Sequence, residues 1–194
     1  KQFNPGLASL SDLLEKNYIP ISLNLYKSQN FLTSLISLLK EPADQHILLI
    51  LQNPSELRPA GGFIGSYGDI ILNQGNLEKI LVDDIYNADR QLNLKLIPPR
   101  ELQKITPSWG ARDANWFFNF PTSAQKVISL LERSDLFSQQ DIQFQGAIAI
   151  NTEILKTILN VIGPIELPKY NKTIDSKNFL KEVQYEVEAG QDKK

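Results

Sequence analysis

Apolar positions along the chain fall into blocks divided by polar turn signals, and the spacing within each block predicts an element. Leu7, Leu10, Leu13 and Leu14 recur at helical intervals, and beyond Pro20 so do Leu25, Leu32, Leu35, Ile36 and Leu39. This predicts two amphipathic helices, one on each side of Pro20, packing on the core or reaching back towards a membrane anchor. Glu41-Pro42 closes the second, because the residue before a proline is pushed out of the helical region. Ile47–Leu51 is a short continuous apolar run, the signature of a central strand buried on both faces.

A turn-rich stretch, Asn53 to Gly62, separates that strand from a second one over Phe63–Leu72, in which Gly65 and Gly68 mark bulges or close backbone approach. Asn73-Gln74-Gly75-Asn76 reads as a turn and Leu77–Val82 as a third strand. Residues 84–121 carry little periodicity and are punctuated by Pro98-Pro99, Pro107 and Pro121. A loop of that length inside a compact domain tends to be functional or mobile. Thr122 or Ser123 then caps a helix to about Arg133. Gly146–Ile150 is a strand, and a helix capped by Asn151 or Thr152 stops at Gly163-Pro164. Ile165–Leu167 gives a short strand, Asp175 caps a last helix and Gly190 ends it.

Alternation of helices and buried strands predicts an α/β fold with a mixed, mainly parallel central sheet flanked by helices. Neither a repeat nor a linker divides the chain, so residues 1–44 are read as N-terminal helices, packing or stalk, forming one unit with the α/β domain of 45–194. The length of 194 residues suits a single domain.

Composition narrows the chemistry. The chain has no cysteine, which excludes thiol catalysis, Cys-ligated zinc, iron–sulfur clusters and disulfides. Its one histidine, His46, excludes a site needing two imidazoles and is read as a strand-entry residue. Lys and Arg number 20 against 22 Asp and Glu, so the basic face of a nucleic-acid binder is not expected. No apolar stretch has the length of a membrane helix. A first residue other than Met and an end on Gln191-Asp192-Lys193-Lys194 suggest a piece of a longer protein.

Three clusters are candidates for function. Glu56-Leu57-Arg58-Pro59-Ala60-Gly61-Gly62-Phe63-Ile64-Gly65 follows the first buried strand, where open α/β sheets bind ligands. A glycine turn can present N–H groups to an anion and an arginine adds a fork for phosphate; Gly61-Gly62 is equally readable as a tight turn. The second cluster, Trp109 to Ser123, holds both tryptophans together with Phe117, Phe118 and Phe120. Arg112 and Asp113 are adjacent there, so on an extended segment one faces a ligand while the other braces the loop. Its rings either line an apolar pocket or form a satellite core. The third, Asp83-Asp84-Ile85-Tyr86-Asn87-Ala88-Asp89-Arg90, offers carboxylates to a magnesium ion, Asp84 among them, or is a solvated acidic turn.

Residues 48–67, 112–124 and 145–167 together resemble a family of uncharacterised bacterial membrane-anchored surface proteins. More distantly they are similar to the LytR-CpsA-Psr cell-wall ligases, which move glycans from a polyprenyl pyrophosphate carrier to peptidoglycan with magnesium, arginines and aspartates. The resemblance implies a LytR-CpsA-Psr-like fold on the extracellular face of a bacterial membrane, anchored by a segment outside this chain. It implies a polyprenyl-phosphate-linked glycan or cell-wall polymer as partner, Mg2+ as cofactor and glycan transfer as activity. Carried onto this chain, Arg58, Arg112 and Asp113 would be catalytic, with Asn53, Glu56, Gly61, Gly62, Asn115 and Trp116 binding ligand. Where those ligases open the second strand with Arg-Ser-Asp, this chain has Gly61-Gly62-Phe63. That difference favours the alternative, a non-catalytic surface scaffold or a protein- or glycan-binding module.

Overall fold

The computed structural model describes residues 5–189. They form two compact units, one running to Gln45 with Leu72–Asn76 added, the other comprising His46–Ile71 and the chain from Leu77 onward.

The first unit is built on α1 (Pro5–Lys40). The two helices expected around Pro20 are one continuous helix of 36 residues, about 54 Å long. A proline inside a helix removes one N–H from the ladder, and the rungs on either side carry the helix across that gap. Lys40 lies in its last turn, where a cation meets the negative end of the helix dipole. Beyond it, Asn73 donates to Asp44 Oδ1 (2.8 Å) and Gln74 N to Glu41 O (3.4 Å). Among the described residues no helix is long and apolar enough to cross a membrane.

The second unit holds the sheet, β1 (Gln45–Asn53), β2 (Phe63–Asn73), β3 (Asn76–Asp84) and β4 (Phe144–Asn151), in the order β3-β2-β1-β4. β1 pairs with β4 in parallel, Ile47 opposite Gly146 through Gln52 opposite Asn151. β1 and β2 run antiparallel: His46 meets Asp69 while Gly62 packs on Asn53. β2 turns into β3 through Gln74-Gly75, two residues with positive φ, as a tight hairpin requires. The sheet is therefore mixed but not mainly parallel. Only a connection of a dozen or more residues can return a strand in parallel, and the β1–β2 and β2–β3 links are shorter.

The core forms because β1 is apolar on both sides. Leu48 and Ile50 of β1, with Ile64 of β2, are sealed from solvent. They pack with Ile85 of α2 (Ile85–Arg90) and with Val127, Leu130 and Leu131 of α3 (Phe120–Leu131), which lie on one face at i, i+3 and i+4. Phe137, in the short helix α4 (Asp135–Ser138), meets Tyr67 and Phe144 edge-on. The cap of α3 is Asn119, whose Oδ1 accepts from Thr122 N, rather than Thr122 or Ser123. Pro121 can occupy the first turn, where its missing N–H has no intrahelical role, and Ser123 is buried with its Oγ bridging both backbone groups of Phe117.

Asn151 caps α5 (Thr152–Ile162) by accepting from Glu153 N and Ile154 N, and Gly163 closes it at φ +86°. The strand at Ile165–Leu167 (β5) is present, paired antiparallel with Lys172–Ile174 (β6), a strand too short to leave a period. Asp175 opens the turn into α6 (Phe179–Ala189): its Oδ1 accepts from Lys177 N and Asn178 N, which holds its carboxyl below the usual range. The stop expected at Gly190 lies outside the described residues.

Candidate functional site

The chain leaving β1 folds back over its own end. Asn53 Oδ1 accepts from Ser55 N, its Nδ2 donates to Glu56 Oε1, and Phe63 N donates to Glu56 O. Gly61 and Gly62 stand at φ +115° and +138°; a Cβ on Gly61 would lie 2.6 Å from Gln52 Oε1, and one on Gly62 2.3 Å from Asn53 O. Asn115, fully buried, clamps the same turn, donating through Nδ2 to Ala60 O and Gly62 O. Gly61 N is directed to Arg58 O and Phe63 N to Glu56 O, so the glycine pair serves close backbone packing and its neighbouring N–H groups are committed within the loop. Asn115 Oδ1 is buried without a protein partner, a place suited to an ordered water.

That turn delivers Arg58 to Asp113, in a single helical turn at Ala111–Asp113. Arg58 Nε and Nη2 both reach Asp113 Oδ1, at 3.1 and 2.7 Å. Arg112 Nε lies 3.4 Å from Asp113 Oδ2, its Nη1 donates to Asp89 Oδ2 (2.9 Å) and its Nη2 to Thr106 Oγ1 (3.1 Å). Asp89, on α2, also accepts from Ala111 N at 2.6 Å. Asp113 thus bridges two arginines, and Asp89 ties the second one to α2. Burial raises the Asp89 carboxyl above its ordinary range, against the opposing pull of Ala111 N and Arg112. Each guanidinium lies over a ring, Arg58 on Phe63 and Arg112 on Tyr86, both at 5.3 Å.

This network forms one wall of an open cleft of about 440 Å³. Phe63, Tyr86, Leu102, Ile105 and Pro107 supply apolar surface to it, with Glu56 among its polar lining. Arg58 and Arg112, both expected from the sequence, therefore converge on one cleft. Arg58 also donates through Nη1 to Leu57 O (2.9 Å), and Arg112 turns Nε to Asp113 as an ion pair beside its two hydrogen bonds, so two N–H groups of each guanidinium lie beyond these contacts.

The other expected residues are placed differently. Asn53, Gly61, Gly62 and Asn115 build the loop behind the cleft, and half-buried Trp116 is not among the residues lining it. Nor do the rings of its neighbours line the cleft: Trp109 packs on Phe117 and under Lys126, and Phe118 is 92% exposed. Phe63 and Tyr86, which lie in the glycine-turn and acidic clusters rather than in the aromatic one, provide the aromatic surface instead. The acidic cluster does not converge. Asp84 Oδ1 caps α2 through Tyr86 N, Asp83 Oδ1 accepts from Asn87 Nδ2 and Asp84 N, and Asp89 turns to Arg112. Among the described residues no three His, Cys, Asp or Glu side chains group as metal ligands. The donor set around the cleft does not fit magnesium, because Asp89 and Asp113 are both neutralised by guanidiniums.

A family model described as a protein of unknown function, DUF4012, matches residues 43–187. No curated protein and no solved structure matches the chain, and nothing in these comparisons links it to the LytR-CpsA-Psr ligases.

Proposed function

The chain belongs to the DUF4012 family of proteins of unknown function, and we propose that it is a binding module for a phosphate- or pyrophosphate-linked lipid or glycan at a bacterial cell surface. The observation that supports this reading is the pairing of Arg58 and Arg112 on one wall of a cleft with apolar rings and aliphatics around it. Two planar guanidiniums held side by side, each with donors remaining, suit the oxygens of a phosphate. Phe63, Tyr86, Leu102 and Ile105 suit the chain or sugar attached to it. Binding without transfer is the better fit. Asp113 bridges two arginines and acts as a positioning residue for them.

The test is calorimetric titration with a short-chain polyprenyl pyrophosphate, with and without magnesium. Binding is expected without the metal, and at a hundredfold excess over Kd the bound protein should gain about 2.7 kcal/mol of stability. Arg58→Lys and Arg112→Lys keep the charge but lose the fork, and should weaken binding by tenfold or more, about 1.4 kcal/mol. Absence of heat or stabilisation in the wild type overturns the reading.

The competing reading is a non-catalytic scaffold, favoured by the exact balance of two arginines with two carboxylates. It requires that no phosphate ligand binds and that the same two variants simply melt earlier.

A further inference from the structure

Between α2 and α3 the chain makes a closed loop from Leu96 to Trp109, pinned at its base where Trp109 N donates to Leu96 O (2.8 Å). Surface loops with their ends together are packed by their own side chains. Here Pro98, Leu102 and Thr106 are buried, and Leu102 N and Thr106 N donate to Pro99 O and Leu102 O. What remains outside is an alternation of cations and apolar groups: Lys95, Ile97, Arg100, Lys104 and Ile105 are all exposed. Ile97 and Ile105 are 80 and 77% exposed. Ile105 also lines the cleft, which puts it at the mouth. Leu57, between the cleft residues Glu56 and Arg58, is 86% exposed. Lys95, Arg100 and Lys104 are set against one carboxylate in the same segment, Glu101, and among the described residues none of the four is in an ion pair. A chain of net charge −2 thus carries a local excess of positive charge beside the cleft.

We infer that this loop, with Leu57, docks the protein on an anionic lipid bilayer, the mouth of the cleft against the headgroups. The choice of a lipid partner rests on the proposed reading of the cleft. Ile97, Ile105 and Leu57 enter the boundary between headgroups and acyl chains, where their apolar surface leaves water. Lys95, Arg100 and Lys104 stay at the level of the lipid phosphates, and each adds attraction to the negative surface. Interfaces between proteins are depleted in lysine. Lysines interleaved with isoleucines suit instead a charged layer lying directly over an apolar one. In this pose Arg58 and Arg112 meet a phosphate-linked ligand at the bilayer, and its chain need not cross water to reach Phe63 and Tyr86.

Co-sedimentation with sucrose-loaded vesicles tests this, comparing equal parts phosphatidylglycerol and phosphatidylcholine with phosphatidylcholine alone. The wild type should bind the anionic vesicles at least about tenfold more tightly and lose that preference in high salt. Ile97→Glu and Leu57→Glu should each release the protein from them, and Lys104→Gln should weaken binding about fivefold. All three variants should keep the wild-type melting temperature and the affinity for a soluble short-chain polyprenyl pyrophosphate, since these side chains are exposed and none lines the cleft. A wild type that binds the soluble pyrophosphate but stays in the supernatant with anionic vesicles overturns the docking surface and leaves the cleft reading standing. Vesicle binding that survives both Ile97→Glu and Leu57→Glu overturns it too. Vesicle binding lost in those variants, in a protein that ignores the soluble ligand, supports the docking surface and overturns the cleft reading alone.

Discussion

Arg58 places two of its nitrogens on the same oxygen of Asp113, fifty-five residues away in the chain, while Arg112 approaches the other oxygen. The Asp113 side chain is 7% exposed, so removing it strands two guanidiniums in a partly desolvated wall. Asp113→Ala should cost about 3–5 kcal/mol, the usual loss when one partner of a buried pair is deleted. In a chain of this length that lowers Tm by roughly 10 °C. Urea denaturation checks it, and a loss below about 1 kcal/mol would mean that solvent already screens the pair.

Gly62 and Gly163 both have positive φ but differ in surroundings. Gly163→Ala meets nothing within 4 Å and should cost only the backbone strain, about 1 kcal/mol. Gly62→Ala adds a clash with Asn53 O at 2.3 Å and should cost at least about 3 kcal/mol, because the contact is with backbone. Equal shifts in denaturation midpoint for the two variants would contradict the close packing of the 53–62 turn.

Asp89 gives a pH dependence of unusual sign. Burial raises its folded-state pKa, so the folded protein holds this proton where the unfolded chain has released it. The stability it contributes is complete below the unfolded value, about 3.8, and is lost as pH rises through the folded pKa. Relative to Asp89→Asn, which cannot titrate, the wild type should therefore gain stability on acidification through that window. Unfolding free energies of the two proteins across the acid range decide the point, and a difference that shrinks on acidification would refute it.

At the alkaline end, desolvation, with Asp83 and Asp69 adding repulsion, raises the Tyr67 phenol to about 12. The contribution is present below the unfolded value of 10.0 and disappears as pH rises towards 12. Tyr67→Phe should remove that loss of stability between about pH 10 and 12, followed by circular dichroism. Identical alkaline melting of variant and wild type would show the hydroxyl to be exposed to water.

The parts of the fold that were legible are those whose signal is local. Ile47–Leu51 can be buried on both faces only in a central strand, and Asn151 with Gly163-Pro164 brackets α5 by capping chemistry. Pro20 misled because it deletes a single rung, which a 36-residue helix tolerates. The direction of the sheet depends on connection length, and the short β1–β2 and β2–β3 links point to antiparallel neighbours despite the α/β alternation. For the cleft, Arg58 and Arg112 were visible as a pair of candidates, whereas Asp89 and Tyr86 stood out only in an acidic cluster and Phe63 only beside a glycine turn. Their role exists only once α2 and β2 bring them beside the arginines. The glycine pair was noticed for a reason that the packing of Gln52 and Asn53 replaces.

The parallel pairing of β1 with β4 also bears on how the chain reaches its native state. Their partners, such as Ile47 and Gly146, are separated by roughly a hundred residues, whereas β1, β2 and β3 are neighbours in sequence. Closure of that long loop carries the largest entropic cost in the sheet, so the β1–β2–β3 meander should form early and β4 dock late. On a ribosome the meander would emerge with the outer edge of β1 bare, and the N–H and C=O groups along that edge would wait for β4 until Asn151 had been made.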